Sequence, residues 1–522
     1  MNIMKSFRHA PSSPGNARAR LSRPSHHSLP LTLLATLLLA GCAVGPDYRG
    51  APDAAPKAEK AQAFVRQPDA GAAVRTGPGA SAAQWWRTLG DAQLDALVDA
   101  ALAHNPDVHA AQARLRQSRA QLRQQQANQM PTSSATAAML RTNTPDSSFT
   151  SGGPMTLYTA DFDASWELDL FGGKRRAVEA ASAEAEAVDA DLADTQVSLA
   201  AEVAQAYIGL RDQQQRLRLA QASADLQQRM LDLTLQRRAA GTAADVDVER
   251  LTTQVQTTRA TLVPLDEQIT ESLDRLAVLT GREPGELDHA LAPVGALPVL
   301  PATVDVGDPA AMLRRRPDIR AAERRLASTY AQIGEHTADL FPKVSLFGTL
   351  GFSADTPSHL LRRSNFSWVG VPYLQWNVLD FGRTRSAIHA AEAARDEAEA
   401  KYAHAVLQAL QDANGALSRY GHQREHLDRL RQVQVSAQRA ADLTRQRYRA
   451  GTTTLIDLLD TQRSEFAAQQ DVVAGQAELL DDFVSLQKSL GLGWKEGNQK
   501  EGDQKAGDAS GQPPMTNGRD SG

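Results

Sequence analysis

The chain has 522 residues, and its 56 basic side chains fall short of 61 acidic ones, giving a net charge of −5 at pH 7. A chain with this balance lacks the basic field that binding to a phosphate backbone requires, which excludes nucleic acid as a principal partner. Its single cysteine, Cys42, excludes an intrachain disulfide framework and leaves no other candidate for a thiol nucleophile or a cysteine metal site.

In chain order the first feature is a leader. Lys5, Arg8, Arg18, Arg20 and Arg23 precede the apolar run LPLTLLATLLLAGC, which is too short for an ordinary transmembrane helix and has the layout of an export signal. The run ends in Leu39-Ala40-Gly41-Cys42, which resembles the bacterial lipobox. That resemblance implies a signal peptide at residues 1–41 and a mature chain starting at Cys42, which would carry diacylglycerol and palmitate. Ala43 in place of an aspartate then implies sorting to the outer membrane. Removing the leader takes away basic residues and no acid, so the mature charge becomes about −10. Beyond it no apolar run reaches ~18 residues, so no helix is expected to cross a membrane, whereas a β-barrel stays open because its signal per strand is weak.

Residues 42–90 are rich in Ala, Pro and Gly and read as an extended segment, with Phe64, Trp85 and Trp86 as anchors on a neighbouring surface. From there the chain is written twice. A shift of about 210 residues aligns Trp166 with Trp376, Phe171 with Phe381, Gly172 with Gly382, Arg175 with Arg385 and Ala177 with Ala387. The same shift aligns RAAGTAADVDV, from Arg238, with YRAGTTTLIDL, from Tyr448, and NPDVHAAQARL, from Asn105, matches RPDIRAAERRL, from Arg316, with one residue more. The repeats span 91–281 and 310–492, joined by a Pro/Gly-rich connector at 282–309 and followed by a polar tail at 493–522 that reads as disordered.

Each repeat has the same order. A helix opens at the Asn/Arg-Pro-Asp motif, where proline suits the first turn and aspartate complements the dipole, and it ends before Pro131 or Pro342. Two strands are predicted next, at 132–141 and 157–170 in the first repeat and at 343–353 and 367–379 in the second. Alternation is clearest in YTADFDASWELDL: Phe162, Ala164, Trp166, Leu168 and Leu170 share one face, and Asp161, Asp163, Ser165, Glu167 and Asp169 the other. One face suits lipid and the other water. Past Gly172-Gly173 and past Gly382 the period becomes helical without a linker. Alanine-rich stripes (Ala177, Ala181, Ala185, Val188 onward; Ile388, Ala391, Ala394, Ala398 onward) continue for about 66 residues, or roughly 100 Å, to Gly241 and Gly451. The chain then turns and runs back through 244–279 and 455–490.

Four strands cannot close a transmembrane barrel, since bacterial examples begin at about eight, and lipid does not tolerate open edges. Strands that enter a bilayer must therefore be shared with further copies, and three protomers would supply twelve. Pro131 and Pro342 would end the helices entering the membrane, and the glycines at 172, 173 and 382 would turn strands back into helices at its boundary. The alanine stripes favour a broad tube of closely packed helices over a two-stranded coiled coil, whose seams prefer Leu, Ile and Val.

On the lipobox, the duplicated helix-strand-strand-helix order, LDLFGGKRRA with LDFGRTRSA, and the repeated AGT…D turns, the chain resembles the outer-membrane factor family of TolC- and OprM-like channels. Its GCAVGPDY start is similar to the lipoprotein, NodT-like branch. The resemblance implies a membrane α+β fold: a homotrimer with a 12-stranded β-barrel continued by an α-helical barrel, lipid-anchored in the outer membrane and extending into the periplasm. It implies a passive duct of a tripartite efflux or secretion system, fed by a periplasmic adaptor and an inner-membrane transporter, of the RND type.

Asp457 and Asp460 stand three apart near the start of a helix, so six carboxylates would ring the trimer's periplasmic opening and filter ions there. Aspartates in a first turn also simply complement the helix dipole. The resemblance favours the gate, and it matches Tyr448 and Asp247 to a bond holding the entrance shut. Thr453 stands where some relatives carry arginine, a departure that bears on the closed-state network. An enzyme is not expected: the histidines show no HExxH spacing, GxSxG is absent, and Gly172-Gly173-Lys174 lacks the other residues of a phosphate loop. No cofactor is expected apart from lipid on Cys42. The competing reading is a non-conducting periplasmic brace, which would have no need of paired amphipathic hairpins.

Overall fold

A computed structural model describes residues 43–66, 74–75, 83–144 and 153–494. The expected leader, Cys42, residues 145–152 between the first two strands, and the tail after Trp494 lie outside the described residues. Among the described residues no helix is long and apolar enough to cross a membrane.

The first repeat opens with α1 (Ala92–His104), capped by Asp91, whose carboxylate accepts from the amides of Gln93 and Leu94. Asn105 does the same for α2 (Pro106–Ala127), accepting from Asp107 and Val108, with Pro106 in the first turn, where its missing N–H costs nothing. A hairpin follows, β1 (Thr132–Thr144) and β2 (Gly153–Leu168), and then α3 (Gly173–Ala239), 67 residues long. The chain returns through α4 (Asp245–Ala260) and α5 (Leu262–Leu279). The second repeat copies this order in α6 (Pro309–Arg315), α7 (Pro317–Ala338), β3 (Lys343–Ala354), β4 (Phe366–Gln375), α8 (Arg383–Arg449) and α9 (Leu455–Ser489), and α8 is again 67 residues long.

The two hairpins form one antiparallel sheet in the order β1-β2-β3-β4, so β1 and β4 each present an open edge. The helices extend from one end of it. α2 covers the half of α3 near the sheet, α4 and α5 cover the far half, and α7 and α9 do likewise along α8 while also touching α3. Pairs of shorter helices therefore stand end to end beside each long one. At the first joint the buried Asn105 donates from Nδ2 to the carbonyl of Leu279 at 2.9 Å. At the second, Arg316 donates to the carbonyl of Ser489 at 2.9 Å and pairs with Asp318 at 2.7 Å. In both, a side chain at the start of one helix satisfies a carbonyl that the end of the other leaves free.

The main core lies where α1, the middle of α3, α8 and α9 converge, and Trp85, Trp86, Leu94, Tyr207, Ile208, Leu210, Tyr420 and Phe483 are fully buried there. Trp85 and Trp86, together with the buried Phe64, act as anchors of the N-terminal segment. A smaller cluster near the far turns joins Leu231, Val248, Leu251, Val255, Leu455 and Leu459.

Several sequence expectations need correction. The short helices α1 and α6, tucked against the joints, were not anticipated. The first return helix is not continuous over 244–279: it breaks at Thr261, because Pro264 has no N–H to offer the carbonyl of Ala260. The strand predicted at 367–379 stops at Gln375. Near the sheet, α3 buries Ala180, Ala183, Ala187 and Ala190 rather than only the single stripe from Ala177, because α2 and α7 flank it on two sides.

Candidate functional site

Three places carry the residues that the sequence singles out: the strand–helix junctions, the N-terminal segment lying on them, and the far helical turns.

At the junctions Pro131 and Pro342 stand immediately before β1 and β3. Gly172 and Gly382 are the N-caps of the two long helices, with φ of +82° and +87°, a region that side chains disfavour, and Gly173 is the first helical residue of α3. Neither glycine can cap with a side chain, and upstream aspartates do so instead. Asp169 accepts from the amides of Lys174 and Arg175 at 3.2 and 3.0 Å, and Asp380 from Gly382 and Thr384 at 3.0 and 2.8 Å. The Thr384 hydroxyl, the Thr384 amide and the Gly382 amide hold the Asp380 carboxyl down at about 2. These aspartates were missed as site residues, although an aspartate two or three places before a helix-opening glycine is a recognisable capping signal. Two tryptophans were missed as well: Trp166 donates from its indole to the carbonyl of Gln129 at 2.9 Å, and Trp376 repeats this with Leu340 at 3.0 Å. Each ties a strand to the end of the preceding helix, with an apolar ring outside and its N–H satisfied, as suits a membrane boundary. Phe171 stacks on Phe341 at 4.6 Å and couples the two junctions.

The segment from Ala43 lies across this boundary. Val44 N–H donates to the carbonyl of Phe171 at 3.1 Å, and Gly172 packs so closely on Ala43 that a Cβ there would come within 2.8 Å of two Ala43 carbons. Gly45 packs on the backbone of Gly334 of α7 so closely that a Cβ on Gly45 would not fit, and a Cβ on Gly334 would collide with the Arg176 side chain. Arg176 is buried and gathers the segment, donating to the Val44 carbonyl at 3.3 Å, Asp47 at 2.5 Å and Glu179 at 2.7 Å. Its guanidinium holds the Asp47 carboxyl below the usual range. Farther along, Tyr48 donates to Glu323 at 3.2 Å.

At the far end the turns match. Gly241 and Gly451 both have φ of +73°, and the amides of Thr242 and Thr452 donate back to the carbonyls of Arg237 and Arg447 at 2.8 and 2.9 Å. The helices that leave them differ. Asp457 is exposed and forms a reciprocal cap: the Thr453 and Thr454 hydroxyls donate to its Oδ2 at 2.9 and 2.7 Å, and its own amide donates to Thr454 Oγ1 at 3.2 Å. Those hydroxyls and the Thr454 amide lower its carboxyl from the ordinary value. Asp460, one turn on, is exposed and takes no part in this cap. Asp247, the aligned residue of the first repeat, follows Ala244, which cannot cap, and lies 4.0 Å from Arg250. Within the protomer Tyr448 Oη accepts from Arg237 at 3.4 Å, with the guanidinium 6.0 Å from its ring centroid.

Comparison with known proteins follows the same layout. The family model described as outer membrane efflux protein matches residues 97–282 and 309–492. The pyoverdine export outer membrane protein OpmQ of Pseudomonas aeruginosa is 33% identical over 426 residues, which is 80% of this chain and 88% of that protein. Nodulation protein T of Rhizobium leguminosarum bv. trifolii is 30% identical over 467 residues, 88% of this chain and 96% of that protein. The solved structure of the outer-membrane channel OprN superimposes with a TM-score of 0.77 at 36% identity, covering 87% of this chain and all of that one.

Proposed function

The chain belongs to the outer membrane efflux protein family and is an efflux channel component of the outer membrane, and from that premise we propose how it is assembled, anchored and gated. The observation that carries the proposal is the four-stranded sheet, apolar on one face and bearing the β2 carboxylates on the other, open at both edges and continued directly by 67-residue helices. Three copies joined at those edges leave no strand unpaired in lipid and enclose a water-filled duct that the long helices carry into the periplasm. Substrate passes from an inner-membrane transporter of the RND type through a periplasmic adaptor into the helical end, and leaves through the barrel.

Cys42 carries the lipid anchor. Support comes from Ala43, which lies against Gly172 at the strand–helix boundary, so acyl chains on the preceding residue would enter the adjacent leaflet without stretching the chain. The far turns form the entrance. Asp460, exposed one turn into α9, supplies the filtering carboxylates, Asp457 both caps the helix and adds charge, and the Arg237–Tyr448 contact holds the long helices of the two repeats together where the entrance must part. Adaptor binding favours the parted state by making contacts there that the closed state lacks.

The test is single-channel conductance of the purified protein in planar bilayers, comparing the wild type with Asp460→Asn. A small cation-preferring conductance that loses its preference in the variant supports the reading. Membrane-inserted trimers that pass no current in either form would instead favour a brace.

A further inference from the structure

The register of the sheet assigns each strand residue to one of two faces. Asp161, Asp163 and Glu167 of β2 stand opposite Thr136 and Ser134 of β1 and opposite Gly351, Thr349 and Ser345 of β3. A row of carboxylates cannot face hydrocarbon, so this is the aqueous face. Phe347 of β3 and Val369, Val371 and Tyr373 of β4 share it by the same register, and each is between 46% and 51% exposed. Phe347 and Tyr373 meet edge-on at 5.9 Å.

Membrane insertion gives no reason for these four, because the opposite face already carries Phe162, Trp166, Leu346, Leu350, Trp368 and Leu374. Apolar area left in water forgoes roughly 25 cal/mol per Å². The duplication sharpens the contrast. In the alignment that pairs Trp166 with Trp376, Asp161 falls on Val371 and Asp163 on Tyr373. One repeat keeps charge where the other keeps apolar side chains, and the two meet across a concavity of about 450 Å³ lined by Ser134, Asp163, Phe347, Thr349, Val369 and Val371. The Asp161 carboxylate lies over Gly351, where no Cβ would fit, and so leans toward the apolar strands, while Asp163 accepts from Thr136 at 3.5 Å.

We propose that this face is a transit site for amphipathic organic cations, with the apolar body held on Phe347, Val369, Val371 and Tyr373 and the cation beside Asp161 and Asp163. The proposal rests on the duct reading and adds a substrate class to it. The charge complementarity is local, the rings of Phe347 and Tyr373 favour a cation over their faces, and adjacent strands about 4.8 Å apart put charge and apolar surface within the span of one small molecule. Shallow, repeated sites of this kind suit a conduit, which must hold its cargo weakly enough to release it.

The experiment is equilibrium dialysis of labelled tetraphenylphosphonium against the full-length protein in lipid nanodiscs, with uptake by empty nanodiscs of the same lipid subtracted. Tetraphenylborate has the same shape with opposite charge, and tetramethylammonium has the charge without the apolar body. Tetraphenylphosphonium should be retained above both, and its retention should fall about 3-fold or more in Val369→Thr/Val371→Thr and in Asp161→Asn/Asp163→Asn. Threonine keeps the branched shape that suits a strand, and if a variant fails to give a trimer the comparison of the two tetraphenyl ions on the wild type decides. Equal retention of those ions, or retention unmoved by both pairs of substitutions, overturns the proposal. Conductance of the same preparation reports separately: a conducting protein without selective retention removes only the transit site, and a non-conducting one removes the duct together with it.

Discussion

The amide of Val44 donates a 3.1 Å hydrogen bond to the carbonyl of Phe171, so the start of the described chain is pinned to the turn at which β2 becomes α3. Gly172 and Gly382 hold equivalent turns with nearly the same positive φ, yet only Gly172 has the N-terminal segment packed on it, whereas a Cβ on Gly382 would meet open space.

Gly382→Ala should therefore cost about 1 kcal/mol, the backbone term alone. Gly172→Ala should cost more and also displace Ala43. Chemical denaturation of both variants, with protease sensitivity around Asp47, checks this; equal costs and an undisturbed segment would contradict it.

Arg211 is 2% exposed and anchors the connector between the repeats. It donates to the carbonyls of Pro293 at 2.8 Å and Leu291 at 3.4 Å and to Gln214 at 2.6 Å, it also pairs with Gln93, and Gly295 leaves room for its guanidinium. Arg211→Ala would take the donor from the Pro293 carbonyl, while that of Leu291 keeps Gln214 Nε2 at 2.8 Å, and should destabilise by about 2–4 kcal/mol. Lysine should rescue little, because its ammonium lacks the planar fork by which Nη1 serves Pro293 and Gln214 while Nη2 reaches Gln93. Limited proteolysis within 282–309, faster in both variants, is the readout.

Asp457 and Asp460 should separate by assay. Asp457→Ala loses the reciprocal cap with Thr454, seen as faster amide exchange in the first turns of α9. Asp460→Ala should leave that exchange unchanged while altering ion preference. If both variants change exchange alike, the division of labour is wrong.

Asp481 of α9 has its carboxyl pushed up to about 7 by burial, reinforced by Asp482, Asp212 and Glu478 nearby. An unfolded aspartate titrates near 3.9, so between about pH 4 and 7 the unfolded chain releases a proton that the folded one keeps, and stability falls as pH rises through that window. Asp481→Asn should raise stability at pH 8 by about 1–3 kcal/mol and change little at pH 4. Melting temperatures of wild type and variant across this range decide the matter, and a parallel pH dependence in both would count against it.

The duplication, the change from a period of two to one near 3.6 at Gly172 and Gly382, and the two-faced strand through Asp161 and Trp166 were all readable from the sequence, because each is a relation among residues a few places apart. The break at Thr261 was within the same reach, since Pro264 announces it. The partners of the candidate site were not. That Tyr448 meets Arg237, that Val44 reaches Phe171, and that Arg211 holds Pro293 depend on which helix faces lie opposite one another across long stretches of chain. Spacing sets which side of a helix a residue occupies; the rotation and offset with which two helices pack, decided by the whole buried surface between them, set what it touches.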